Sequence, residues 1–210
     1  MLLSDPLHGP ARLLPAEWRD HPEWHRGRPR YALWSIPVEC PQALERLRTA
    51  RELLGDWLRP PGARQAHITL FVCGFPAARP HHDDDIAPAV LEAQRQALDA
   101  LHLAPFELHI GGLDSFASAA FLRVTDQGQL AHLRRPLGQL SSEIRQAPYV
   151  PHLTLGLYRH AASAEDWRRR AEPLRHCPPL ALPVRELQLL SYAAAEPQGA
   201  LRVEARVALA

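Results

Sequence analysis

The feature that most constrains this chain is an internal repeat. AHITLFVCGF (66–75) matches PHLTLGLYR (151–159), and SFASAAFLRV (115–124) resembles SYAAAEPQGALRV (191–203). Solenoids repeat many short units. Two long copies instead predict a bilobal domain with a pseudo-twofold axis between its halves. The boundaries read as a first copy over about 42–125 and a second over about 126–209, inside one domain spanning 30–210. Residues 1–29 are rich in Pro, His and Arg and read as an irregular N-terminal extension whose Trp18 and Trp24 dock on the body.

Local patterns support an α/β (α+β) fold built from two such lobes, with antiparallel sheets facing a central cleft. Strands are expected at 31–38, 66–75, 106–113, 119–125, 149–158, 184–192 and 200–209 from alternation, β-branched content and flanking breakers. Helices are expected at 42–58 (Leu44, Leu47, Leu54 and Leu58 inward), at 86–103, from Asp126 to about 144, and at 164–175 behind a Ser163–Asp166 capping box. The 21 prolines, about twice the usual share, read as loop punctuation.

Within the repeat, His67-Ile68-Thr69-Leu70 and His152-Leu153-Thr154-Leu155 are the chemical signal. The chain has four Thr, and two of them sit in these motifs. Residues i and i+2 of a strand share a face. His67 with Thr69, and His152 with Thr154, therefore project together, while the aliphatic residues between them enter the core. A pseudo-twofold brings two imidazoles and two hydroxyls onto one wall. That set suits in-line displacement at phosphorus: one imidazole accepts the nucleophile's proton while the other protonates the leaving oxygen. The Thr hydroxyls hold the non-bridging oxygens. No metal, cofactor or covalent nucleophile is required.

Composition narrows the partners. Net charge is +1, so there is no global basic field for long nucleic acid. All 24 basic residues are Arg, which excludes a GK[ST] phosphate loop and lysine Schiff-base chemistry. Cys40, Cys73 and Cys177 are scattered, unlike a zinc site or a disulfide framework. The start lacks a signal-peptide pattern, and no stretch approaches the ~20 apolar residues of a membrane span. A monomer in a reducing cytoplasm is the expectation. His81-His82-Asp83-Asp84-Asp85 reads as a solvated loop rather than a metal site.

The paired motifs resemble the signature of the two-histidine phosphoesterase superfamily, and most of all its bacterial 2′-5′ RNA ligase / RNA 2′,3′-cyclic phosphodiesterase branch. The similarity spans roughly 30–209 and includes PFELHIGGLDSF (105–116). It implies hydrolysis of a 2′,3′-cyclic phosphate at an RNA 3′ end or on a small nucleotide to a 2′-phosphate, with 2′-5′ ligation as the reverse reaction. Carried over, His67 protonates the departing 3′-oxygen, His152 activates water, and Thr69 and Thr154 bind phosphate. Other phosphodiesters, such as 2′-5′ oligonucleotides and small cyclic nucleotides, are the first alternative; an RNA-end binding module with slow turnover is the second. The chain departs from the pattern where members often carry Arg five positions after the second His: here that position is Leu157, with Arg159 two residues on. Arg159, Arg123 and Arg30 are candidate phosphate contacts. Tyr158, Phe71 and Trp34 are candidates for stacking a base, with core packing as the competing role.

Overall fold

The computed structural model describes residues 1–144 and 147–210. Its elements in chain order are α1 (Pro22–His25), β1 (Arg30–Pro37), α2 (Pro41–Leu54), β2 (His67–Pro76), β3 (Asp85–Ile86), α3 (Pro88–Asp99), β4 (Phe106–Ser115), β5 (Ala119–Thr125), α4 (Gln129–Leu140), β6 (His152–Leu157), α5 (Ala164–Arg175), β7 (Leu180–Val184), β8 (Glu186–Ala193) and β9 (Arg202–Ala208). A 3-10 turn at Gly55–Trp57 follows α2.

The helix starts have local causes. α2 and α3 each carry Pro in the first turn, where its missing N–H has no intrahelical partner to lose. Asp126 Oδ2 accepts from the Gly128 and Leu130 amides at the start of α4. Ser163 Oγ accepts from the Asp166 amide at 3.0 Å, as the capping-box spacing predicts. The inward stripe of α2 differs from expectation. Ala43, Ala50 and Leu54 are buried, whereas Leu44 is 38% exposed. Leu54 and Leu58 are buried and Leu47 packs on the core as expected, while Ala43 and Ala50, not Leu44, complete the inward face.

The strands run in the order β7-β4-β5-β6-β2-β1-β8-β9, antiparallel throughout, with β3 added parallel to β2. Four strands therefore lie on each side of the β6–β2 junction. Beside β2, β1 holds the place that β5 holds beside β6. The sequence match of 115–124 with 191–203 aligns β5 with β9, which lies at the sheet's edge. Among the described residues the two halves meet at one register pair, Ile68 opposite Leu153. Both side chains are fully buried, as is Leu70, and Leu155 nearly so. They join one core with Ala50, Leu54, Leu98, Leu133, Leu137, Trp167 and Ala171 from the helices. The helices thus cover the face onto which the aliphatic members of the motifs project. Among the described residues no helix is long and apolar enough to cross a membrane.

Residues 1–29 are anchored rather than loose. Leu3 and Leu13 are fully buried, and the segment contains the one-turn helix α1. Its amides bond to distant carbonyls: Leu3 to Ser115, Leu13 to Ala162, Leu14 to Ala117 and Ala16 to Tyr158. Trp24 packs on Tyr31 and Phe75, each ring centroid 4.9 Å away. The His81–Asp85 loop is tied to the same segment. Arg28 donates to Asp84 and to Asp85 (2.6 Å), and its guanidinium lies 3.6 Å from the Phe75 ring centroid. These carboxylates are therefore engaged in an ion pair that clamps extension to body.

The seam yields a stability expectation. Ile68→Ala should cost about 2–5 kcal/mol, because truncating a fully buried aliphatic side chain loses its burial and leaves a cavity at the junction. Urea unfolding followed by circular dichroism measures it; a loss below about 1 kcal/mol would mean that the junction is not packed as described.

Candidate active site

The alternation inferred from sequence holds at both motifs. His67, Thr69, His152 and Thr154 are half-buried and partly open, while Ile68, Leu70, Leu153 and Leu155 are buried. The antiparallel register at Ile68–Leu153 sets His67 towards Thr154 and Thr69 towards His152. The alternating arrangement places each imidazole across the seam from the other motif's hydroxyl. His67 and Thr154 line one cavity of about 170 Å3.

Each imidazole is held the same way. His67 Nδ1 lies 2.8 Å from the Gln65 carbonyl, and His152 Nδ1 lies 2.7 Å from the Val150 carbonyl. A carbonyl only accepts, so both rings carry a proton on Nδ1, which makes Nε2 the nitrogen that can take up or give a second one. The His152 ring also meets Phe116 edge-on at 5.1 Å and Phe121 at 5.2 Å. Burial pushes His67 down to about 4; the Gln65 carbonyl bond opposes that, while the Arg64 guanidinium and the His152 charge add to it. His67 is thus neutral throughout the physiological range and feels the charge of the other motif's imidazole.

The charge in the cavity comes from Arg51, Arg59 and Arg64, which line it with His67 and Thr154. Arg51 donates to the Leu155 carbonyl, and Arg59 donates through Nε and Nη2 to the Ala16 carbonyl at 3.1 and 2.8 Å. Arg64 lies 4.0 Å from the Tyr192 ring centroid and donates to the Gly199 carbonyl at 3.4 Å. Among the described residues none of the three has a carboxylate within 4.0 Å. Burial lowers the affinity of Arg51 and Arg64 for their protons, yet guanidinium stays charged at any working pH. Three such cations around a small cavity make a local anion site in a chain of nearly zero net charge. No periodicity marks them: Arg59 and Arg64 sit in the loop before β2, and Arg51 lies at the end of α2.

The other candidates from sequence lie elsewhere. Arg159 falls beyond the end of β6 and is exposed. The strand ends at Leu157, so alternation no longer fixes the direction of Arg159, and its odd spacing of seven from His152 does not place it on the His152 face. Arg30 is at the far end of β1, where it donates to Ser191 and approaches Glu204 to 3.7 Å. Arg123 does pair in register with His152, but its guanidinium donates to the Arg175 carbonyl at 2.7 Å. Trp34, Phe71 and Tyr158 are core residues, 0–2% exposed and unable to stack a ligand. Trp34 donates to Gln94 at 3.0 Å, and the Tyr158 hydroxyl meets Ser115 Oγ at 2.7 Å.

Comparison with known proteins follows the same lines. A family model described as the 2′-5′ RNA ligase superfamily matches residues 37–196. No curated protein matches the chain. Among solved structures, Escherichia coli LigT complexed with 3′-AMP is 21% identical, with a TM-score of 0.59 over 86% of this chain and 98% of LigT. TT0787 of Thermus thermophilus is 20% identical, with a TM-score of 0.58 over 85% of this chain and 97% of its own. ATU0111 from Agrobacterium tumefaciens, a conserved protein of unknown function, is 15% identical at a TM-score of 0.56, covering 87% of each chain. These likenesses establish a shared fold.

The electrostatics can be read directly. An NMR titration of the imidazoles should find His67 neutral and Nδ1-protonated at pH 7, taking up a second proton only as pH falls towards about 4. Arg64→Gln removes a neighbouring positive charge and should move that midpoint upward. A His67 midpoint near 6.5 in the unsubstituted protein would contradict its burial.

Proposed function

This chain belongs to the 2′-5′ RNA ligase superfamily, and from that premise we propose that it is a metal-independent phosphodiesterase that opens a 2′,3′-cyclic phosphate to a 2′-phosphate. The observation that carries the reading is the cavity in which His67 of one motif, Thr154 of the other and three guanidiniums without carboxylates converge. A cyclic phosphodiester carries one negative charge, and the transition state for attack by water gathers more charge on its non-bridging oxygens. Arg64, beside His67, supplies the cation that Leu157 does not. Thr69 and Thr154 donate hydroxyl hydrogen bonds to those oxygens.

The protons balance between the two imidazoles. Water attacks phosphorus and gives its proton to the neutral Nε2 of His67. The bond from phosphorus to the 3′-oxygen breaks, and that oxygen takes a proton from His152. The product is a 2′-phosphate monoester with a free 3′-hydroxyl. Burial keeps His67 unprotonated at neutral pH and so available as the base in hydrolysis, the reverse of the assignment that the family resemblance implies. By microscopic reversibility the same pair exchanges roles when a 5′-hydroxyl attacks and a 2′-5′ linkage forms.

The test is product analysis on adenosine 2′,3′-cyclic phosphate. The unsubstituted protein should yield only the 2′-phosphate, with an undiminished rate in EDTA. His67→Ala and His152→Ala should each lower kcat/KM by roughly 10²–10⁴-fold, the usual contribution of one acid or base. The pH profile of kcat/KM should rise through an acid limb near 4, where His67 loses its proton, and fall again at higher pH, as a mechanism with one base and one acid requires. A flat profile from pH 4 to 9, or activity in either His variant equal to that of the unsubstituted protein, would overturn the reading.

A further inference from the structure

Trp18 is a large aromatic residue left 38% exposed, and it lines the same cavity as His67 and Thr154. It comes from the N-terminal segment, upstream of the residues 37–196 that match the family model. Its placement is built from both sides. The Ala16 amide donates to the Tyr158 carbonyl at 2.9 Å, while the Ala16 carbonyl accepts two bonds from Arg59. The Arg59 guanidinium then lies 5.5 Å from the indole ring centroid. Two residues upstream of Ala16, the Leu14 amide is held by the Ala117 carbonyl, and Leu13 is fully buried. The indole is thus fixed at the cavity with the Arg59 guanidinium over its ring and part of its surface open to solvent.

We propose that Trp18 is the nucleobase platform of this site, a specificity-determining residue supplied by the N-terminal segment. The proposal rests on the phosphodiesterase reading above. The cavity holds guanidiniums for a phosphate and, at its rim, one open aromatic surface; a nucleotide presents those two chemistries together. The aromatic residues that the sequence offers for stacking, Trp34, Phe71 and Tyr158, are sealed in the core. Stacking on an indole tolerates any base, so the platform should select nucleoside phosphodiesters over base-free ones without strong preference among bases.

The experiment compares adenosine 2′,3′-cyclic phosphate with the 2′,3′-cyclic phosphate of methyl riboside, which has the same reacting group and no base. Trp18→Ala should raise KM for the nucleoside ester about tenfold with kcat within about twofold, a loss within the range that one base–aromatic stack provides. The preference for the nucleoside over the base-free ester should fall by the same factor. Trp18→Phe should keep most of that preference, which separates stacking from general disturbance of the segment. An unchanged preference in Trp18→Ala overturns the proposal, as does equal loss on both esters, which is what a purely structural Trp18 gives. Isothermal titration with adenosine 2′-phosphate keeps the test independent of turnover. If the unsubstituted protein hydrolyses neither ester, the reaction assigned above fails, and the titration decides the platform: weaker binding in Trp18→Ala upholds it, and equal affinity or no binding at all overturns it.

Discussion

Everything in this molecule depends on one cross-strand pairing. Ile68 and Leu153 meet where the two halves of the sheet join, and both are buried beneath the helices. Because side chains alternate along a strand, burying these two aliphatics turns their neighbours outward on the opposite face. The two His and two Thr are therefore turned to the open face by the burial of their neighbours, and the imidazoles are then oriented by the Gln65 and Val150 carbonyls. A slip of one residue at the seam would put all four polar side chains in the core, so the register that stabilises the fold is also the one that builds the site.

The site gathers charge in a chain that has almost none overall. A net charge of +1 hides three guanidiniums around one small cavity. Several arginines elsewhere are matched by acids: Arg48 by Glu45 and Glu52, Arg95 by Glu92, Arg134 by Glu143 and Arg206 by Glu186. Arg51, Arg59 and Arg64 are held by backbone carbonyls and aromatic rings instead. A carbonyl satisfies N–H donors without cancelling the charge, so the cavity keeps its potential for an incoming anion. That same potential, together with burial, keeps His67 neutral.

Much of this is legible in the sequence, for identifiable reasons. Period-two alternation marks β2 and β6, and strong local signals place β5 at 119–125 and α5 at 164–175 as found. β7 escapes such a reading because its five residues contain Pro183, which it tolerates as an edge strand of the sheet. The side chains that complete the site are harder to find. Arg59, Arg64 and Trp18 belong to irregular segments, where no periodicity says which way a side chain points. Arg159 is misplaced because β6 ends at Leu157, beyond which strand alternation no longer governs where a side chain points. Phe116 and Phe121, which flank His152, lie within the repeated SFASAAFLRV segment but read there as spacing rather than as ring contacts.

The first residues of the chain are bonded to positions made much later. Leu3 answers to Ser115 and Arg168, Leu13 to Ala162, Ala16 to Tyr158, and Arg28 to Asp84 and Asp85. During synthesis the amino terminus leaves the ribosome long before these partners exist. Leu13 and Ala16 must then wait for Ala162 and Tyr158 before these bonds can form, whereas Trp24 meets Tyr31 and Phe75 early. The Ala16 carbonyl that orients Arg59, and Trp18 two residues on, thus gain their anchor on the sheet only once Tyr158 exists, so the border of the first motif's cavity is set from the second half of the chain.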